Sequence, residues 1–104
     1  MTYENILFEK DGAIAVLTVN RPKSLNAINP ATVREIGACV EVVRQDSTLR
    51  CLIITGSGDR AFVAGADISA MVTMSATEGK TFSALGLGVM RSLETLPIPV
   101  VAAR

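Results

Sequence analysis

Two short apolar runs separated by one amphipathic helix set the tightest limit on how this chain can fold. Residues 13–19 read AIAVLTV and residues 51–55 read CLIIT. Between them Val33, Ile36, Val40 and Val43 recur at spacings of three and four, which predicts a helix with one apolar stripe running to about Gln45. Asn29-Pro30 marks its start, a capping side chain followed by a proline at the first helical position. Asp46-Ser47-Thr48 breaks the pattern before the second run begins. Strand, helix, strand in that order is a crossover unit, so the two runs are expected to be parallel neighbours in one sheet.

The flanking segments extend this α/β scheme. Residues 4–9 have strand character, and Asp11-Gly12 is a hairpin turn signal leading into the run at 13–19. That run is nearly all apolar, as expected of a strand covered on both faces. Asn20-Arg21-Pro22 ends it, and Lys23 to Asn29 reads as a loop. Further on, a short helical turn is expected from about Asp67. A longer helix follows near 77–95, with Phe82, Leu85, Val89, Leu93 and Leu96 as its stripe. Pro97 stops that helix, and IPVVAA at 98–103 reads as another buried strand. No linker, low-complexity segment or internal repeat interrupts the 104 residues, so they form one small domain or a piece of a larger one. A domain of this size buries roughly 65% of its unfolded surface, enough for a modest core.

Composition removes several function classes. Ten basic and ten acidic residues cancel with no like-charge block, which argues against nucleic acid or an anionic membrane as the main partner. The N-terminal MTYENILFEK has no basic region followed by an apolar run, and no apolar stretch is long enough to span a bilayer. Cys39 and Cys51 are not a C-x-x-C pair; both are read as free buried thiols, which fits a reducing, cytoplasmic setting. The chain has no histidine, so Ser-His-Asp, Cys-His and His-ligated zinc chemistry cannot come from these residues.

Two stretches could bind a ligand. Gly56-Ser57-Gly58-Asp59-Arg60-Ala61 fits the G-x-G-x-x-[G/A] dinucleotide pattern and follows a strand. Its context fails, because Ala61 leads into Phe62, Val63 and another glycine rather than a helix, and a plain turn is the better reading. The second stretch, RAFVAGADIS at 60–69, sets nearly bare backbone between apolar side chains. Amides presented by Ala64, Gly65 and Ala66 could donate to an anionic oxygen with no side chain in the way. A tight strand-to-helix connection without a ligand accounts for the same residues. Asp67 suits a helix cap better than a catalytic base, since nothing near it in sequence supplies a partner. Met71 and Met74 fit core filler or an acyl pocket, and Lys23 and Arg60 fit surface charges or phosphate contacts.

As a set these motifs resemble the N-terminal part of the crotonase (enoyl-CoA hydratase/isomerase) superfamily. The resemblance rests on Leu17 to Pro22 (LTVNRP), Leu25-Asn26-Ala27, Ile53 to Gly56 (IITG), Ala61 to Ile68 (AFVAGADI) and Leu96 to Ala103 (LPIPVVAA), in that order. It implies a spiral of β-β-α units and a coenzyme A thioester as ligand, with no cofactor beyond the coenzyme A of the substrate. The residue after the glycine of the AGAD loop donates its amide to the thioester oxygen in that family, which maps onto Ala66. Ala64, Gly65, Asp67 and Ile68 fall in the segment that holds the bent coenzyme A. Lys23 and Leu25 correspond to a loop contacting it from the other side, and Met71 falls where the family lines the acyl pocket.

The family takes a second amide donor from a glycine-rich segment soon after the PVVAA run, and its acid–base glutamates from further on. None of Glu4, Glu9, Glu35, Glu41, Glu78 or Glu94 stands in a matching context. Residues 1–104 are thus expected to be the N-terminal part of a crotonase-like domain, carrying half an oxyanion hole and inactive by themselves. The family implies trimers or hexamers, built through C-terminal helices that have no counterpart here. A non-catalytic module that binds acyl-CoA thioesters, an isomerase or decarboxylase of the same superfamily, and a nucleotide-binding unit using Gly56 and Gly58 stand as alternatives.

Overall fold

A computed structural model describes residues 3–21, 28–57 and 74–102. Six elements follow one another: β1 (Ile6–Asp11), β2 (Ile14–Val19), α1 (Pro30–Gln45), β3 (Cys51–Gly56), α2 (Ala76–Glu94) and β4 (Val100–Ala102). They build a four-stranded sheet in the order β1-β2-β3-β4. The β1–β2 pair is an antiparallel hairpin, and its turn holds Gly12 at a φ of 60°, where a Cβ would be strained. The β2–β3 and β3–β4 pairs are parallel, as the crossover pattern predicts.

Local chemistry sets the element boundaries. The Asn29 side chain accepts the Thr32 amide at 2.9 Å and Pro30 occupies the first helical position, so α1 begins where expected. Ser75 and Glu78 form a reciprocal capping box at the start of α2. The first strand starts at Ile6 rather than residue 4, because the amides of Glu4 and Asn5 donate to the Glu35 carboxylate on α1. The last strand starts at Val100 instead of the expected Ile98 and runs to Ala102, the last described residue. Pro97 and Pro99 have no N–H to give a ladder, and only the Pro99 carbonyl joins in, accepting the Leu52 amide at 3.0 Å.

The core lies between one face of the sheet and α1. Ile6, Ala15, Leu17, Val19 and Leu52 meet Cys39, Val40 and Val43, with Leu49 and Leu96 closing the ends. Each large side chain buried there contributes roughly 1.5–3 kcal/mol of transfer free energy. The opposite face differs from the expectation of a strand covered on both sides. Burial alternates along β2, Ile14 is 42% exposed, and no described element covers that face.

The stripe predicted for the second helix exists but faces α1 rather than the sheet. Phe82, Leu85, Val89 and Leu93 are only half-buried, and no residue of α2 is fully buried. Gly37 permits the close approach: a Cβ there would stand 3.2 Å from Cγ2 of Val89. Arg44 clamps the far ends of the two helices together. Its guanidinium donates to the Ser92 carbonyl at 2.7 Å, the Thr95 carbonyl at 3.2 Å and the Thr95 hydroxyl at 3.1 Å. Among the described residues no helix is long and apolar enough to cross a membrane.

Candidate functional site

The carboxyl ends of β2, β3 and β4 lie at one end of the sheet, because the three strands are mutually parallel. Val19 is paired with Gly56, and the Ser57 amide donates to the Val19 carbonyl at 2.9 Å. Strands β2 and β3 therefore end side by side. The chain leaves β2 for residues 22–27 and β3 for residues 58–73, so both segments singled out from the sequence depart from adjacent points. In open α/β sheets this is where ligands bind. Lys23 and Leu25 of the first segment lie outside the described residues. So do Ala64, Gly65, Ala66, Asp67, Ile68 and Met71 of the second.

The described helices start directly after these segments, and each uses its own side chains at its N-terminus. Besides the Thr32 amide, Oδ1 of Asn29 accepts the Thr32 hydroxyl at 2.5 Å, which satisfies a fully buried polar side chain. Gly56, the first glycine of the dinucleotide pattern, is an extended residue paired within β3. Between the N-terminal halves of α1 and α2 lies a groove of about 200 Å³ lined by Pro30, Arg34, Met74, Thr77, Glu78 and Phe82. That is smaller than the roughly 300–1,000 Å³ of ordinary small-molecule pockets.

No described side chain is arranged as a nucleophile or a paired acid and base. Burial pushes the Cys39 thiol up to about 12, against the smaller opposing pull of its hydrogen bond with Tyr3. Both cysteines are free, with Cys39 buried and Cys51 half-buried. Glu35 receives amides from the N-terminal segment, Glu41 lies 3.4 Å from Nε of Arg44, and Glu78 closes the capping box. The described residues hold no cluster of three or more His, Cys, Asp or Glu side chains that could hold a metal. Sequence reasoning set Glu35 aside as non-catalytic without seeing its partners, Glu4 and Asn5, which lie 31 and 30 positions away in the chain.

Comparison with known proteins identifies the family. Residues 9–103 match the family model described as enoyl-CoA hydratase/isomerase. Over 103 residues the chain is 52% identical to a crotonyl-CoA hydratase of Syntrophomonas wolfei and 47% identical to a short-chain-enoyl-CoA hydratase of Clostridium acetobutylicum. Each match covers 99% of this chain and 40% of the relative, so the chain spans about 40% of the length of the curated relatives it matches. The crystal structure of an enoyl-CoA hydratase from Bacillus anthracis superposes with a TM-score of 0.92 at 26% identity, over 95% of this chain and 39% of that one. A structure titled enoyl-CoA hydratase/carnithine racemase from Magnetospirillum magneticum gives a TM-score of 0.90 at 30% identity, over 97% and 39%. The mixed four-stranded sheet, the two capped helices and the adjacent strand ends are therefore the N-terminal portion of a crotonase fold, and the chain belongs to the enoyl-CoA hydratase/isomerase family.

Proposed function

We propose that this chain is part of a hydratase acting on acyl-CoA thioesters, adding water across the double bond of a 2-enoyl-CoA. The observation that carries the reading is the family match through residues 9–103, which includes both candidate segments, together with the departure of those segments from adjacent strand ends. In this reading the Ala66 amide donates to the thioester oxygen as negative charge develops on it. An oxyanion donor of this kind contributes about 3–4 kcal/mol to the transition state. Ala64, Gly65, Asp67 and Ile68 hold coenzyme A, Lys23 and Leu25 contact it from the other side, and Met71 lines the acyl pocket. Coenzyme A enters as part of the substrate and no separate cofactor is required.

Residues 1–104 constitute the N-terminal part of the domain. In this reading the second amide donor and the acid–base carboxylates come from outside residues 1–104, and the Glu35, Glu41 and Glu78 carboxylates are engaged in structural contacts. The working assembly is a trimer or hexamer in the cytoplasm.

Crotonyl-CoA tests this reading on the purified chain of verified mass. Saturable binding without hydration is expected, weakened by Ala66→Pro, which removes the donor N–H, and retained by Ala66→Gly, which keeps it. Hydration at a rate near that of a complete enzyme would overturn the assignment of the missing groups to other residues. Failure to bind crotonyl-CoA would overturn the substrate class.

A further inference from the structure

We propose that Glu35 is a positioning residue that fixes the point where the chain leaves β2 for the segment carrying Lys23 and Leu25. The inference rests on the reading of those two residues as coenzyme A contacts. Glu35 lies in the second turn of α1. Its Oε1 accepts the amides of Glu4 at 2.6 Å and Asn5 at 3.0 Å, and its Oε2 accepts the Asn5 side-chain amide at 2.5 Å. The Asn5 carbonyl in turn accepts the Asn20 amide at 2.8 Å, one step beyond the last β1–β2 pair, Ile6 with Val19.

Asn20 is the residue at which β2 has just ended. The far end of the same segment is also held by α1, through the Asn29 cap on Thr32. Residues 22–27 thus start from a point tied to the second turn of α1 and return to a point tied to its first turn. A carboxylate suits this task better than an amide. Both of its oxygens accept, so one side chain holds two backbone amides and a side-chain amide together. Had Glu4 and Asn5 simply continued the hairpin, their amides would not have needed a residue from α1.

Amide hydrogen exchange and crotonyl-CoA titration, run on the 104-residue chain, test the proposal. Glu35→Ala is expected to speed exchange of the Asn20 amide by about tenfold and to raise the dissociation constant for crotonyl-CoA by a similar factor. Exchange within 15–18 and 52–55 should stay within about twofold of wild type, since those ladders do not pass through Glu35. Glu35→Gln keeps one accepting oxygen and should recover part of both effects, and it serves if the alanine variant does not fold. Uniform acceleration across β1, β2 and β3 would make Glu35 a general tie of the sheet and overturn the proposal. Unchanged exchange of the Asn20 amide would overturn it as well. If exchange responds as expected while the wild-type chain fails to bind crotonyl-CoA, the positioning role stands and the substrate reading falls.

Discussion

Replacing Arg44 by methionine removes the guanidinium that joins the C-terminal ends of α1 and α2 while keeping most of the apolar stem. Its acceptors explain why the loss should be large for a partly exposed side chain. Ser92 lies in the last turn of α2, where carbonyls have no intrahelical partner, and Thr95 is the C-cap residue. The positive charge also sits at the negative ends of two helix dipoles. Counting the part-buried bond to Ser92 at about 1.5 kcal/mol and each exposed bond to Thr95 at about 0.5 kcal/mol gives about 2.5 kcal/mol. With a urea m-value of about 1.5 kcal/mol/M, the unfolding midpoint should fall by about 1.7 M. Arg44→Lys keeps the charge but not the fork, and should lose about half as much. Glu41→Ala removes only an exposed partner 3.4 Å from Nε, and should change stability by less than about 0.5 kcal/mol. An Arg44→Met midpoint indistinguishable from wild type would refute the clamp.

Asp46 tests the surface electrostatics. Hydrogen bonds from Lys10, and then from Thr48, hold its carboxyl down at about 2. A lowered folded value stabilises the native state above the ordinary carboxylate range and loses that effect as pH falls through the folded value. The stability difference between wild type and Asp46→Asn should therefore be constant from pH 7 to about pH 5, then shrink and vanish near pH 2, as followed by urea melts in a pH series. The Cys39 thiol, raised to about 12, should resist iodoacetamide at pH 8 in the folded chain and react fully in urea. Native-state labelling of Cys39 at the rate of a free thiol, seen by peptide mass, would contradict its burial. Asn29→Ala should cost about 2 kcal/mol, the lost cap plus the stranded Thr32 hydroxyl, and adding Thr32→Val should restore part of it. A single-variant loss below about 0.5 kcal/mol would show that the cap contributes little.

What was legible in advance follows the range of the interactions concerned. The Asn29-Pro30 start of α1 and the Asp11-Gly12 turn depend on neighbours within a few residues, and both appear where the residues indicate. The parallel pairing of β2 with β3 followed from the apolar pattern and the crossover. The late start of β4 at Val100 was available in Pro97 and Pro99, but the apolar run masked it. The stripe of α2 was legible, while its partner was not: helical periodicity says that a face is buried, not whether a sheet or another helix buries it. The Glu35–Asn5 and Arg44–Ser92 ties join residues 30 and 48 positions apart, and no local pattern announces them. For the candidate site, the strand ends from which both segments depart are established, whereas the roles of Lys23, Leu25 and Ala64 through Met71 rest on resemblance.

The pairing order of the sheet also carries a consequence for how the chain reaches its native state. Only β1 and β2 meet through a tight turn; Ile14 must find Cys51, and Leu52 must find Val100, across long intervening stretches. Closing those loops costs entropy before any contact repays it, so the hairpin and α1 are set to organise first and β4 to arrive last. Pulse-labelled exchange should find the amides of β2 protected before those of β4, and the reverse order would contradict this sequence of events. The three residues of β4 then form the slowest-won edge of the sheet, and a chain caught before that step exposes the parallel edge of β3 to other molecules.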